Sequence, residues 1–81
     1  MKQIVVTPEQ IGQIIRSARR ARKLNQEQAA PRIGISQSRL SALEIDPKVI
    51  SAEQLLALVS LYGLELVIQS KSSPYVAPSE W

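Results

Sequence analysis

The chain has 81 residues, no cysteine, no histidine and a formal net charge of +3. A length of this order holds one small domain with a modest core, so a dimer is a natural source of added stability. Lack of Cys and His removes thiol nucleophiles, imidazole bases, disulfides and the usual zinc sites. With no phosphate-cradling glycine loop either, no catalytic constellation can be named, and the expectation is a non-enzyme with no cofactor and no metal. The start MKQIVVTPEQ is too short and too polar for a signal peptide, and no apolar run reaches membrane length. A soluble cytoplasmic protein with no membrane partner is expected. The charge is uneven. Residues 1–43 carry eight basic side chains against two acidic ones, and residues 44–81 carry two against five. A basic half is the footprint of a surface that faces phosphate.

In chain order, residues 2–6 (KQIVV) are a short apolar, β-prone run within an arm of residues 1–7. Thr7-Pro8-Glu9-Gln10 is a strong helix start: a Thr cap, Pro at the first helical position, an acid, then Gln at the capping-box position. The first helix is predicted from Pro8 to about Lys23, with Ile11, Ile14, Ile15 and Ala18 inward. Asn25 and Gln28 repeat the box and open a second helix, from about Gln26 to Ile33, which Gly34 stops in the left-handed conformation. Pro31 stands inside it. Proline removes the amide bond to the Glu27 carbonyl and crowds the turn, so this helix is expected to be tilted, kinked or shortened. Ser36 caps a third helix, from about Gln37 to Glu44. It turns Gln37, Ser38, Arg39, Ser41 and Ala42 outward and Leu40 and Leu43 inward. Small and polar residues on the outer face let a helix approach base edges closely and hydrogen-bond to them.

Residues 45–50 connect to a fourth helix. Ser51 and Gln54 give its capping box, Leu55, Leu58, Val59 and Tyr62 its inner face, and Gly63 its end. The domain therefore spans residues 8–63. Beyond it, Leu64 to Gln69 alternates like a strand. A lone strand needs a partner for its backbone groups. The simplest is the same strand of a second copy; the competing one is residues 2–6 of either chain. Residues 71–81 form a Pro/Ser tail, expected to be disordered alone and to serve as a flexible partner-binding segment, that ends in Trp81. A terminal Trp is useful as an anchor at a binding hot spot.

With Leu24-Asn25-Gln26, Ala29-Ala30, Ile33-Gly34-Ile35-Ser36, Leu40-Ser41 and Leu43-Glu44 at regular spacings, residues 8–62 resemble the Cro/C1-type (XRE) helix-turn-helix family of bacterial and phage regulators. The flanks resemble those of its HipB-like antitoxins, in the Thr7-Pro8-Glu9-Gln10 start, the Asp46-Pro47 connection, the strand Leu64–Gln69 and the Glu80-Trp81 end. The resemblance implies an all-α, compact four-helix domain with a short C-terminal β-strand that pairs across a homodimer. It implies autorepression at a near-palindromic operator and inhibition of a HipA-like Ser/Thr kinase toxin. A stand-alone Cro/C1-type repressor without a toxin is the alternative. A dimer would set two recognition helices about 34 Å apart. The protein would then be bacterial, and nucleoid-associated when bound to DNA.

Gln37 heads the exposed face of helix three, where its amide could pair bidentately with adenine. Ser38 and Ser41 could meet bases or phosphates, and Arg39 could read guanine or hold phosphate. Ser36 caps and could touch phosphate. By resemblance, Gln26 meets phosphate and braces Gln37, and Arg19 forms a structural ion pair with Glu44. Arg20, Arg22, Lys23, Arg32 and Lys48 are candidates for phosphate contacts or steering, or else a solvated basic face. Leu64, Leu66 and Ile68, with Leu61 and Tyr62 nearby, are candidates for the dimer interface, with an intramolecular core as the other reading. Trp81 would insert into the kinase.

Overall fold

A computed structural model describes residues 2–71. The tail from residue 72, with the proposed Trp81 anchor, lies outside the described residues. Among the described residues four α-helices form: α1 (Pro8–Ala21), α2 (Gln26–Ala29), α3 (Gln37–Ile45) and α4 (Ala52–Leu61). Short 3₁₀ turns follow α2 at Ala30–Ile33 and α3 at Pro47–Val49. Among the described residues no helix is long and apolar enough to cross a membrane.

Local chemistry starts each helix. Thr7, Asn25 and Ser51 each complete a capping box with Gln10, Gln28 and Gln54, so that two amides are satisfied reciprocally at each start. Ser36 caps α3, its hydroxyl accepting from the Arg39 amide at 3.0 Å. Gln10 does more than close its box. Its Oε1 accepts from the Val6 and Thr7 amides and its Nε2 donates to the Ile4 carbonyl, which ties the N-terminal arm to α1.

Three ends share another device. After α1, the Ala30–Ile33 turn and α4, an amide bonds five residues back while its predecessor bonds three back: Leu24 to Arg19, Ile35 to Ala30 and Leu64 to Val59. This closure needs a left-handed residue just past the helix. Gly34 (φ 74°) and Gly63 (φ 73°) supply it at two ends, and Lys23 (φ 58°) supplies it at the first. So α1 ends at Ala21, two residues before the predicted limit.

The second helix is shorter than its predicted span. It keeps α geometry for one turn, to Ala29, and continues as 3₁₀ through Pro31 to Ile33. The tighter turn accommodates the missing proline amide, since Pro31 falls near the start of the 3₁₀ segment.

Ile15, Ala29, Ala30, Leu40, Leu43, Leu58 and Tyr62 form the core, with Ile11, Ala18, Leu24, Ile33, Ile35, Ile50, Leu61 and Leu64 packed around it. Every helix contributes, α3 packs against both α1 and α2, and α4 packs against the Ala30–Ile33 turn. Helix α1 meets α3 so closely that only glycine fits between them: a Cβ at Gly12 would lie 2.8 Å from the Glu44 carbonyl oxygen and 3.0 Å from Pro47 Cγ. Residues 64–70 form neither helix nor strand in the single chain. From residue 65 the side chains stay open, with Leu66 51%, Val67 67% and Ile68 92% exposed.

Candidate nucleic-acid interface

The N-terminal turn of α3 lies beside α2, and a hydrogen-bonded line runs inward from it. Gln37 Nε2 donates to Gln26 Oε1 at 2.7 Å. Gln26 Nε2 donates to Glu44 Oε1 at 3.1 Å. Glu44 is held by the fork of Arg19, whose Nε donates to Oε2 at 2.8 Å and whose Nη2 donates to Oε1 at 3.1 Å. A third guanidinium bond, from Arg19 Nη1 to the Leu24 carbonyl at 2.9 Å, fixes the entry into α2. Arg16 Nε lies 3.7 Å from Glu44 Oε1, at the exposed side of the pair. Four residues far apart in sequence thus join an exposed amide to a buried ion pair; Arg19 is 8% and Glu44 5% exposed.

The electrostatics follow from the burial. A two-pronged arginine–carboxylate pair is among the stronger charge-assisted contacts, and it removes the cost of burying either charge alone. The Glu44 hydrogen bond raises the Arg19 pKa above its already high ordinary value, against the opposing effect of desolvation. Tyr62 sits in the same interior at 2% exposure, and its hydroxyl has no hydrogen-bond partner among the described residues. Burial pushes its phenol pKa up, and the Glu44 charge adds to that while Arg19 opposes it.

Along α3, Gln37, Ser38 and Arg39 are exposed, Ser41 is half-buried, and Leu40 and Leu43 are fully buried beneath them. The helix therefore offers a polar ridge on an apolar base. Ser36 is used as a cap, Arg20 and Lys23 are exposed near the end of α1, and Arg32 and Lys48 are exposed on the two 3₁₀ turns.

Two of the residues placed by sequence make contacts within the chain that the sequence did not indicate. Arg22, a candidate for phosphate, donates its Nε to the Tyr62 carbonyl at 3.1 Å and so caps the C-terminal end of α4. A Cβ at Gly63 would collide with that guanidinium. Tyr62, a candidate for a dimer surface, belongs to the core of the single chain and offers a second copy almost no area. Leu61 and Leu64 are half-buried, whereas Leu66 and Ile68 lie open. The role of Gln10 in holding the arm was missed, and the only signal for it was the capping-box spacing itself.

A family profile for helix-turn-helix domains matches residues 15–69, more than half of the chain. A comparison with curated proteins gave no match. The matched span contains α2, the turn at Gly34 and α3, together with the whole Gln37–Gln26–Glu44–Arg19 line. The chain belongs to the Cro/C1-type helix-turn-helix family of DNA-binding regulators.

Proposed function

We propose that this chain is a homodimeric, sequence-specific repressor that lays α3 in the major groove and reads a base with Gln37. The observation that carries this reading is the braced amide. Gln26 accepts one Gln37 N–H and leaves the other N–H and Oε1 for a base edge. One donor beside one acceptor is the complement of adenine N7 and N6. Arg39, Ser38 and Ser41 extend the contact along the same ridge, and Ser36, Gln26 and Lys48 meet phosphate. Residues 64–69 of two copies pair as a small sheet, with Leu61, Leu64, Leu66 and Ile68 between the protomers. That pairing would cover Leu66 and Ile68, two apolar side chains that one copy leaves half or more exposed. The operator is then a near-palindrome with half-sites about one helical turn apart.

The same dimer, bound at its own promoter, serves as the antitoxin of a HipA-like Ser/Thr kinase, with Trp81 as an anchor. This part rests on the resemblance of the flanking segments. Copurification of the tagged chain from its host, with and without Trp81, tests it. A kinase retained by the full chain and lost without Trp81 supports both the partner and the anchor. Equal retention by both forms removes the anchor, and recovery of the chain and DNA alone leaves a stand-alone repressor. DNA reading is tested separately, by selection from a pool of randomised duplexes. An enriched near-palindrome is expected, and a pool that stays random refutes it.

A further inference from the structure

We propose that Glu44, a buried side chain that faces no DNA, sets which base Gln37 prefers. This rests on the base-reading role given to Gln37 above and assigns Glu44 and Gln26 as positioning residues for it.

Hydrogen-bond polarity decides the matter. A carboxylate offers acceptors only, and a glutamine side chain has an accepting end and a donating end. Glu44 Oε1 lies 3.1 Å from the Gln26 amide, so the donating end of Gln26 must point inward. The reverse orientation would set the Gln26 carbonyl against a buried carboxylate. With Nε2 turned inward, Gln26 presents Oε1 to α3, and Gln37 must donate to it, as it does at 2.7 Å. The orientation of Gln37 is thereby inherited from a charge two side chains away. Arg19 completes the device, since its two bonds hold the carboxylate in place and stop it from rotating away from Gln26.

The consequence is a specific donor–acceptor pattern at the surface. In this polarity Gln37 keeps one N–H and its Oε1 for a base, the pattern adenine accepts. In the opposite polarity Gln37 would accept from Gln26 and turn two N–H donors outward, a pattern that fits the two acceptors of guanine better than the adenine edge. The buried ion pair therefore has an informational role beside its structural one.

Glu44→Gln separates the two roles. A glutamine at 44 carries one accepting oxygen and one donating nitrogen, so the group that faces Gln26 is no longer an acceptor by necessity and the polarity of the line is no longer fixed. Adding Gln26→Glu restores an acceptor-only group between positions 44 and 37, and with it the original polarity, at unchanged net charge. The wild type, Glu44→Gln and the double variant are carried through selection from randomised duplexes, with thermal unfolding recorded for each. The readout is the adenine-to-guanine ratio at the position whose preference Gln37→Ala abolishes. Overall affinity is a separate quantity, because the double variant sets a carboxylate near phosphate at position 26. The ratio should fall by about tenfold or more in Glu44→Gln and recover in the double variant, while a lowered melting temperature need not recover. An unchanged ratio in folded Glu44→Gln overturns the proposal, as does a double variant that stays as relaxed as the single one.

Proton exchange of the side-chain amides, followed by NMR in the free wild type, tests the relay without DNA. The Gln26 amide should exchange more slowly than that of exposed Gln13, and exchange at the same rate overturns the relay even if Glu44→Gln fails to fold. A wild type that selects no sequence while its Gln26 amide is protected refutes the base-reading function and leaves the relay as geometry only.

Discussion

Glu44 joins three parts of the molecule: it accepts from Arg19 on α1 and Gln26 on α2 while it stands on α3 itself. Removing one partner strands a buried charge, so Arg19→Ala should cost about 3–5 kcal/mol in urea unfolding. A cost below about 1 kcal/mol would show that the pair holds nothing. Tyr62 makes the opposite case. Its buried hydroxyl lacks a partner among the described residues, so Tyr62→Phe should leave stability unchanged or raise it by about 1 kcal/mol. The pH dependence carries a second signature. The folded-state pKa of Tyr62 is raised by burial, so its neutral phenol contributes stability that is complete below the ordinary tyrosine range and is lost as pH rises through the raised value. Melting curves above pH ~10 should therefore fall less steeply for Tyr62→Phe than for wild type. The Arg19–Glu44 pairing could be expected from sequence because the family spacing places both partners. The Arg22 cap could not: an arginine near a helix end looks the same in sequence whether it meets phosphate or a carbonyl forty residues away.

Elements were legible wherever their determinants are local. Three capping boxes are written in four-residue windows, and the glycines at 34 and 63 mark two of the ends. The end of α1 has no such mark, because the left-handed position is filled by Lys23. A residue with a Cβ costs roughly 1 kcal/mol there relative to glycine. Lys23→Gly should stabilise the fold by about that amount, and a loss in thermal unfolding would contradict the assigned cap geometry. Gly12 is the converse, a glycine whose helical setting gives no hint of its purpose. Its purpose lies across the interface, where the Glu44 carbonyl and Pro47 leave no room for a Cβ. Gly12→Ala should destabilise by about 1–3 kcal/mol through the forced shift of α1 against α3, measured by the same unfolding assay. Pro31 was legible as a disturbance. Its resolution into a 3₁₀ turn was not, because three outcomes satisfy the same local constraint and the packing of Ala29 and Ala30 into the core selects one.

At the scale of the whole molecule, the basic first half and the acidic second half make the chain electrically lopsided, and the span from the start of α1 to the end of α3 carries seven of the eight basic side chains of the first half. The segment after α4 has a strand-like pattern in sequence and no strand in one copy, since a strand forms only where a second segment pairs with it. The period-two pattern of Leu64, Leu66 and Ile68 and the open side chains at 66 and 68 are what the proposed dimer would use. The assembly and the DNA contact meet in one requirement. In the proposed dimer two copies present two Gln37 side chains in the same polarity, and each fixes its own through Gln26 and Glu44.

The central claim is that Gln37 reads a base. The most direct test is a two-by-two titration by fluorescence anisotropy. Wild type and Gln37→Ala are each titrated against the duplex selected by wild type and against the same duplex changed at the position assigned to Gln37. If Gln37 makes the contact, Gln37→Ala should lose about 1–3 kcal/mol of binding on the selected duplex and almost nothing on the changed one. Equal losses on both duplexes would mean that Gln37 serves only phosphate or helix structure, and the base-reading role would be wrong.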